Sequence, residues 1–132
     1  MDGFDELDFE ALQEECTAMQ NYLEERSSDD PNELAERIAM IGSYMARSGD
    51  LLARVKYIQD VQRQMLFKND SEYIQSLPAS VANKFLEAGS AEANYFVNWL
   101  DRINRSCVHQ QDGLRTIFSY VKENLKMTRS GY

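Results

Sequence analysis

The chain has 132 residues, a net charge of −8, six glycines, two prolines and a single histidine. A domain of this length buries roughly two-thirds of the surface that its unfolded chain exposes, so it can form a core without disulfides or metals. So few glycines and prolines exclude a loop-rich β-protein or a disordered linker and favour an all-α fold.

The chain begins with an acidic segment. Residues 1–36 hold thirteen acids and one base, a net of −12, whereas residues 37–132 hold thirteen bases and nine acids, a net of +4. The acidic segment is interpreted either as a solvated face or, less favoured, as an arm that neutralises a cationic surface. We divide the single domain, 1–132, into an acidic N-terminal helix, 1–30, and a body, 31–132.

The first predicted helix runs from Phe4 to Arg26. Its apolar residues are spaced four, three and four apart, which places them in one stripe on a helix. They are Leu12, Cys16, Met19 and Leu23. A run of turn-forming residues then ends the helix, and Asp30 followed by Pro31 is predicted to cap and begin the next one.

A long second helix is predicted from about Pro31 to Lys68. Its large apolar residues keep a four-three alternation that passes through Ser48 without a change of phase. They are Leu34, Ile38, Ile41, Met45, Leu52 and Val55. A break at Gly49 would reset this phase, so the sequence predicts one continuous helix there.

A lane of small residues accompanies this stripe. It contains Ala35, Ala39, Gly42, Ala46, Gly49 and Ala53, again spaced four and three apart. Because no large side chain stands between the backbones, such a lane lets another helix approach closely. We predict helix-packing or oligomer contacts at five of its members, Ala39, Gly42, Ala46, Gly49 and Ala53.

Shorter elements precede a long final helix. A helical turn at 72–76 and a helix over 79–88 are predicted, followed by a helix from about Ala91 to Met127. The final helix keeps the four-three alternation over four heptads. Its members are Phe96, Leu100, Ile103, Cys107, Gln110, Leu114, Ile117, Val121 and Asn124. Lone polar residues in such a seam fix register or oligomeric state, so Gln110, together with Trp99 beside the seam, is predicted at the helix-packing or oligomer interface.

Two helices near 37 residues would each span roughly 55 Å at 1.5 Å per residue, which is long for one compact domain. We therefore predict an all-α fold dominated by a long antiparallel helical hairpin with coiled-coil-like packing and additional shorter helices. The apolar surface that such a hairpin leaves uncovered predicts a homo-oligomer.

The environment of the chain is predicted from its ends and its cysteines. Residues 1–6 lack the basic and apolar runs of a signal peptide, and no uncharged stretch approaches the ~20 residues of a membrane span. Cys16 and Cys107 lie on apolar helical faces, which indicates buried thiols in a reducing compartment. We expect a cytoplasmic protein with no membrane partner.

Catalytic signatures are scarce in this sequence. No Ser-His-Asp set, Cys/His zinc pattern or Gly-rich phosphate loop occurs. Carboxylate pairs such as Glu14 and Glu15 are adjacent, so on a helix they point about 100° apart and cannot share a metal ion unaided. We expect no metal, no cofactor and no enzymatic activity.

One motif keeps an enzymatic alternative open. In "RINRSCVHQ", Arg102 precedes His109 with six residues between them, which resembles the Arg-x(4-6)-His motif of HEPN ribonucleases. This resemblance implies that His109 is the acid-base group and that Arg102 stabilises the phosphorane. The alternative interpretation, a half-exposed histidine beside a helical seam, is favoured.

Bases and aromatics are interspersed along the body. The candidate nucleic-acid-binding residues are Arg47, Arg54, Lys56, Arg63, Arg102 and Arg105. Distributed cations bind phosphates, and aromatic faces such as those of Tyr95 and Trp99 stack on the bases of single strands. Acids also intersperse these positions, so an ordinary solvated helix surface remains an open interpretation.

Two segments resemble the UvsY-type recombination mediators of phages. They are "LLARVKY", Leu51–Tyr57, and "WLDRINRSCVHQQDGLRTI", Trp99–Ile117. The resemblance implies a non-enzymatic, ring-like oligomer that binds single-stranded DNA and helps load a recombinase onto DNA coated by a strand-binding protein. It further implies that Arg54 and Lys56 contact DNA.

The leading expectation is thus a phage- or prophage-type accessory protein of DNA recombination or replication that binds single-stranded DNA and protein. The alternatives are a HEPN-like ribonuclease and a purely structural helical assembly protein.

Overall fold

A computed structural model describes residues 7–129. Within that range five helices follow one another: α1 (Phe9–Glu24), α2 (Pro31–Asn69), α3 (Ser71–Ser76), α4 (Ala79–Gly89) and α5 (Ala91–Arg129). The described residues contain no strand, which confirms the all-α prediction. They also contain no helix that is long and apolar enough to cross a membrane. Residues 1–6, from which we expect no signal peptide, lie outside the described part. The predicted start of the first helix at Phe4 lies there too.

Side-chain caps fix the starts of the first two helices. Asp30 accepts a hydrogen bond from the backbone N of Glu33 at 3.1 Å, and Pro31 occupies the first turn of α2, which confirms this predicted boundary. Asp8 accepts from the backbone N of Glu10 at 3.0 Å. Because Asp8 is this cap, α1 begins at Phe9.

Helix α2 runs through Ser48 and Gly49 without interruption, which confirms the prediction from the apolar phase. The fully buried hydroxyl of Ser48 donates to the carbonyl oxygen of Met45 at 3.1 Å and accepts from Asn104 Nδ2 at 3.1 Å. With both roles of the hydroxyl satisfied, serine at this core position leaves no unpaired buried polar group.

Helices α2 and α5 lie side by side and run in opposite directions. Gln111 Nε2 donates to the carbonyl oxygen of Ile38 near the start of α2, at 3.2 Å. Towards the other end, the side chain of Gln59 donates to that of Asn94. Late residues of α5 therefore pair with early residues of α2, as in the predicted hairpin.

Helix α1 packs against this pair and supplies one wall of the core. Its four predicted apolar residues, Leu12, Cys16, Met19 and Leu23, are all buried. Cys16 and Cys107 are free and fully buried, as predicted. Burial, reinforced by the carboxylate of Glu15, raises the pKa of the Cys16 thiol to about 11, and burial also raises the pKa of Cys107. Both thiols are therefore protonated near neutral pH and poorly nucleophilic.

The buried face of α2 is shifted from the predicted stripe at two positions, and a third predicted member, Met45, is only partly buried. Leu34, Ile41 and Val55 are buried as predicted, but Arg37 and Leu51 are buried where Ile38 and Leu52 were expected. The last two side chains are only partly buried. The displacement follows from α1, which covers the side of α2 that carries Arg37 and Tyr44; the rings of Tyr22 and Tyr44 lie 5.3 Å apart.

The lane of small residues is close-packed within the chain only at its glycines. Its alanines are exposed: Ala35, Ala39, Ala46 and Ala53. A Cβ atom at Gly42 would lie 3.1 Å from Gln111 Nε2, and one at Gly49 would lie 3.6 Å from Asn104 Nδ2. The prediction of helix packing within the chain is therefore wrong for these alanines. Contacts of the alanines between copies stay a prediction.

The predicted seam of α5 is buried only as far as α2 accompanies it. Phe96, Leu100, Ile103, Cys107 and Leu114 are buried. The expectation fails farther along, because Ile117 is 41% exposed and Asn124 is exposed. The physical reason is that α2 starts at Pro31, close to the level of these residues, and leaves the last turns of α5 without it.

Candidate nucleic-acid interface

One face of α5 carries a row of aromatic, basic and hydrogen-bonding side chains. Its members are Tyr95, Trp99, Arg102, Ser106 and His109. They are spaced four, three, four and three residues apart, and this spacing keeps side chains on one face of a helix. The row is therefore a straight strip, which we call the α5 row.

An open groove separates the α5 row from α1. Its larger part has a volume of about 570 Å³, and its continuation past Trp99 has about 350 Å³. We call the two parts together the α1–α5 groove. Helix α5 contributes the row together with Asn98, Arg105 and Gln110, and helix α1 contributes Gln20, Leu23 and Glu24.

The smaller part of the α1–α5 groove, past Trp99, is aromatic. The rings of Tyr95 and Trp99 lie 5.6 Å apart at 61°, and Tyr95 is 57% exposed. The indole Nε1 of Trp99 donates to Gln20 Oε1 at 2.7 Å, which fixes the ring against α1. The protein thus presents one accessible aromatic side chain beside one anchored ring, an arrangement on which a nucleobase can stack.

The larger part of the α1–α5 groove is lined by two arginines, Arg102 and Arg105. The side chains of Arg102 and His109 are exposed, and Arg105 forms an ion pair with Asp101 one turn earlier on α5. The only carboxylate among the described lining residues is that of Glu24, which accepts from Gln20 Nε2 at 3.0 Å. Cations and hydrogen-bond donors therefore predominate along this part of the groove.

The two predicted cations in the middle of α2 are both paired with acids. Arg47 donates through Nε and Nη2 to both carboxylate oxygens of Glu15, with the Nη2–Oε2 distance 3.0 Å. Arg54 Nε lies 3.2 Å from a carboxylate oxygen of Asp50, and Arg47 contacts the same group at 3.7 Å. The carboxylate of Glu15 on α1 thus pairs with Arg47 of α2.

The other two predicted cations of α2 also lie outside the groove. Arg63 donates through Nε to Ser90 Oγ and through Nη2 to Asn94 Oδ1, both at 3.1 Å. These contacts tie α2 to the start of α5 and give the side chain a structural role. Lys56 is exposed on α2. Of the six predicted nucleic-acid-binding residues, only Arg102 and Arg105 therefore line the groove.

The chain matches no protein-family model, no curated protein and no solved structure.

The two segments singled out in the sequence, Leu51–Tyr57 and Trp99–Ile117, contribute unequally to the groove. The second segment, Trp99–Ile117, supplies most of the α5 row, whereas Arg54 and Lys56 of the first segment do not line the groove.

Arg102 and His109, the pair of the ribonuclease motif, lie on the same face of α5 and line the same groove. Seven residues of helix separate them by roughly 10 Å along the axis. Residues 7–129 hold no cluster of three or more histidine, cysteine or acidic side chains suited to a metal ion.

Two glutamines organise the groove, and only one of them was predicted. Gln110 Nε2 donates to the carbonyl oxygen of Leu23 at 2.9 Å, so this polar member of the seam pins the last turn of α1 to α5. Gln20 was not predicted, although it orients both Trp99 and Glu24. It is an exposed polar residue on an acidic helix, so the sequence carries no signal for this role.

Proposed function

We propose that this protein is a non-enzymatic accessory protein that binds single-stranded DNA along the α1–α5 groove. The observation that carries the proposal is the α5 row, which sets two aromatic side chains, an arginine and a histidine on one straight face beside an open groove. Single strands are bound by stacking of bases on aromatic rings and by cations along the phosphate backbone. The groove offers the first at Tyr95 and Trp99 and the second at Arg102, because Arg105 is ion-paired with Asp101.

The resemblance to recombination mediators supports a role in DNA recombination or replication, with the protein acting as an oligomer beside a recombinase or a strand-binding protein. Helix α1 suits contact with a protein better than contact with DNA. Its outward carboxylates, among them exposed Glu10 and Glu14, repel phosphates. We therefore place the strand along α5 and not along the outward face of α1.

The proposal is tested with a fluorescently labelled DNA strand of about 20 nucleotides, long enough for a typical single-strand site. We expect the wild-type protein to bind it at ~50 mM salt and to lose affinity steeply as salt rises. Because Trp99 is the only tryptophan in the chain, stacking at the groove should also quench the intrinsic fluorescence of the protein.

The variants Tyr95→Ala and Arg102→Ala should each weaken binding, about tenfold for the lost stacking and several-fold for the lost phosphate contact. The matched control is Lys84→Ala, which removes an exposed cation of α4 outside the groove and should leave the affinity within about twofold. No binding by the wild-type protein at ~50 mM salt would reject the proposal and favour the purely structural assembly protein.

A HEPN-like ribonuclease is the second candidate, because Arg102 and His109 share the groove. The same samples distinguish it when the strand is RNA and its length is followed with time. Intact RNA agrees with the binding function alone. Cleavage by the wild-type protein that His109→Ala abolishes would instead identify the groove as an active site.

A further inference from the structure

The side chains of the last two turns of α5 are exposed. Val121 is the last partly buried residue of the helix, and every residue from Lys122 to Arg129 is exposed. Leu125 is 44% exposed and Met127 is 51% exposed. A helical segment of this length gains little stability in water without tertiary contacts. We call residues 122–129 the α5 extension.

One face of the α5 extension is basic. Lys122, Lys126 and Arg129 are spaced four and three residues apart, so they share a face, and Leu125 lies at the edge of that face next to Lys122 and Arg129. Glu123 is the single acid of the segment. The extension thus presents three cations beside a leucine.

The outward face of α1 has the opposite character. The described residues on this face are Glu10, Gln13, Glu14, Thr17, Ala18 and Asn21. They include two carboxylates and no base. The charge of this face therefore complements that of the α5 extension.

The two surfaces of one molecule lie too far apart to meet. The last turn of α1 is held at the level of Gln110 by the hydrogen bond to Leu23. Lys122 lies twelve residues farther along α5, roughly 18 Å at 1.5 Å per residue. The α5 extension therefore projects away from its own α1 and is placed to meet the α1 of another molecule.

We infer that the α5 extension of one copy docks on the outward face of α1 of a second copy of this chain. The contact is head-to-tail, so each copy offers one surface of each kind, and repetition gives a ring or a filament. This inference rests on the oligomeric part of the proposed function. It is tested without nucleic acid, so assembly can fail while strand binding succeeds, and the reverse.

The test uses two charge-reversed variants and sedimentation velocity at low salt. One variant carries Lys122→Glu, Lys126→Glu and Arg129→Glu, and the other carries Glu10→Lys and Glu14→Lys. We expect the wild-type protein to sediment as an assembly that dissociates as salt rises. Each variant alone should be monomeric, because its two surfaces then have like charge. An equimolar mixture should assemble again, since each reversed surface meets its complement on the other chain.

Circular dichroism of each variant shows whether it is folded, and Lys84→Glu is the control, because it reverses an exposed charge away from both surfaces. Assembly restored only in the mixture of folded variants establishes the contact. A monomeric wild-type protein, a variant that assembles by itself, or a folded mixture that stays monomeric overturns the inference. The last result, with the wild-type protein assembled, would assign self-association to another face.

Discussion

At the scale of single residues, Arg37 is a buried cation in the described chain. It is 8% exposed, and its Nη2 lies within 3.5 Å of the carbonyl oxygens of Tyr22, Leu23 and Glu25 and 3.2 Å from Gln110 Oε1. The last carbonyls of a helix have no partner within it and carry partial negative charge. The guanidinium therefore caps the C-terminal end of α1 from a neighbouring helix.

We predict that Arg37→Met lowers the free energy of unfolding by about 2 kcal/mol. The substitution keeps most of the apolar stem but leaves the carbonyls of α1 without a charged donor, a loss of roughly 1.5–3 kcal/mol. Arg37 Nε is itself buried without a partner among residues 7–129, which offsets part of the gain from the native contacts. The measurement is urea denaturation followed by circular dichroism.

The matched control for Arg37→Met is Arg115→Met on the exposed surface of α5, where we expect a change within ~0.5 kcal/mol. Equal effects of the two substitutions would show that water satisfies the carbonyls of α1. The guanidinium of Arg37 would then be a packing group only.

At the scale of helices, α2 keeps a glycine in its interior at a net cost. Gly49 is half-buried, and a methyl group there would make an ordinary contact, 3.6 Å from Asn104 Nδ2. At Gly42 the methyl group would lie 3.1 Å from Gln111 Nε2, which donates to the carbonyl oxygen of Ile38. The two glycines thus differ in how closely α5 approaches.

We predict that Gly49→Ala raises the free energy of unfolding by up to ~1 kcal/mol, the difference in helix propensity between the two residues. Gly42→Ala is the internal comparison and should gain less, because the new methyl group displaces Gln111. Both values come from urea midpoints. A larger gain at Gly42 would mean that the approach of α5 does not limit the space beside α2.

Helix boundaries were predictable because local chemistry sets them, as at Asp30 and Pro31. The identity of the buried residues was less predictable, because it depends on which helices pack alongside. The periodicity of α2 does not reveal that α1 covers the side with Arg37 and Leu51. The periodicity of α5 likewise continues through Ile117 and Asn124. Both are exposed, because α2 begins only at Pro31 and does not accompany the last turns of α5.

The candidate site was predictable only in part. Trp99, Arg102 and His109 were each identified from the sequence: Trp99 for helix packing and base stacking, Arg102 for phosphate binding or catalysis, and His109 for catalysis. Their shared groove depends on where α1 lies. The sequence also could not tell which cations are neutralised within the chain, because the carboxylate that pairs with Arg47 belongs to Glu15, 32 residues earlier. Long-range pairing of this kind leaves no local pattern.

At the scale of the whole molecule, α1 is part of the common core rather than a separate arm. Its buried residues join one cluster with those of α2 and α5. Trp99 also donates to Gln20, so its fluorescence reports directly on the docking of α1. A single domain of this size typically unfolds in one cooperative transition, and the shared core gives the physical reason to expect it here.

We predict that Trp99 fluorescence and circular dichroism follow coincident urea transitions. Met19→Ala, at a side chain of α1 that is 1% exposed, should shift both curves together by about 2–5 kcal/mol, because it opens a cavity in the shared core. The matched control is Met65→Ala, 58% exposed on α2, which should move neither curve by more than ~0.5 kcal/mol. A change in Trp99 fluorescence at lower urea than the loss of helix would show α1 detaching from a folded hairpin, and the acidic helix would then be an independent arm after all.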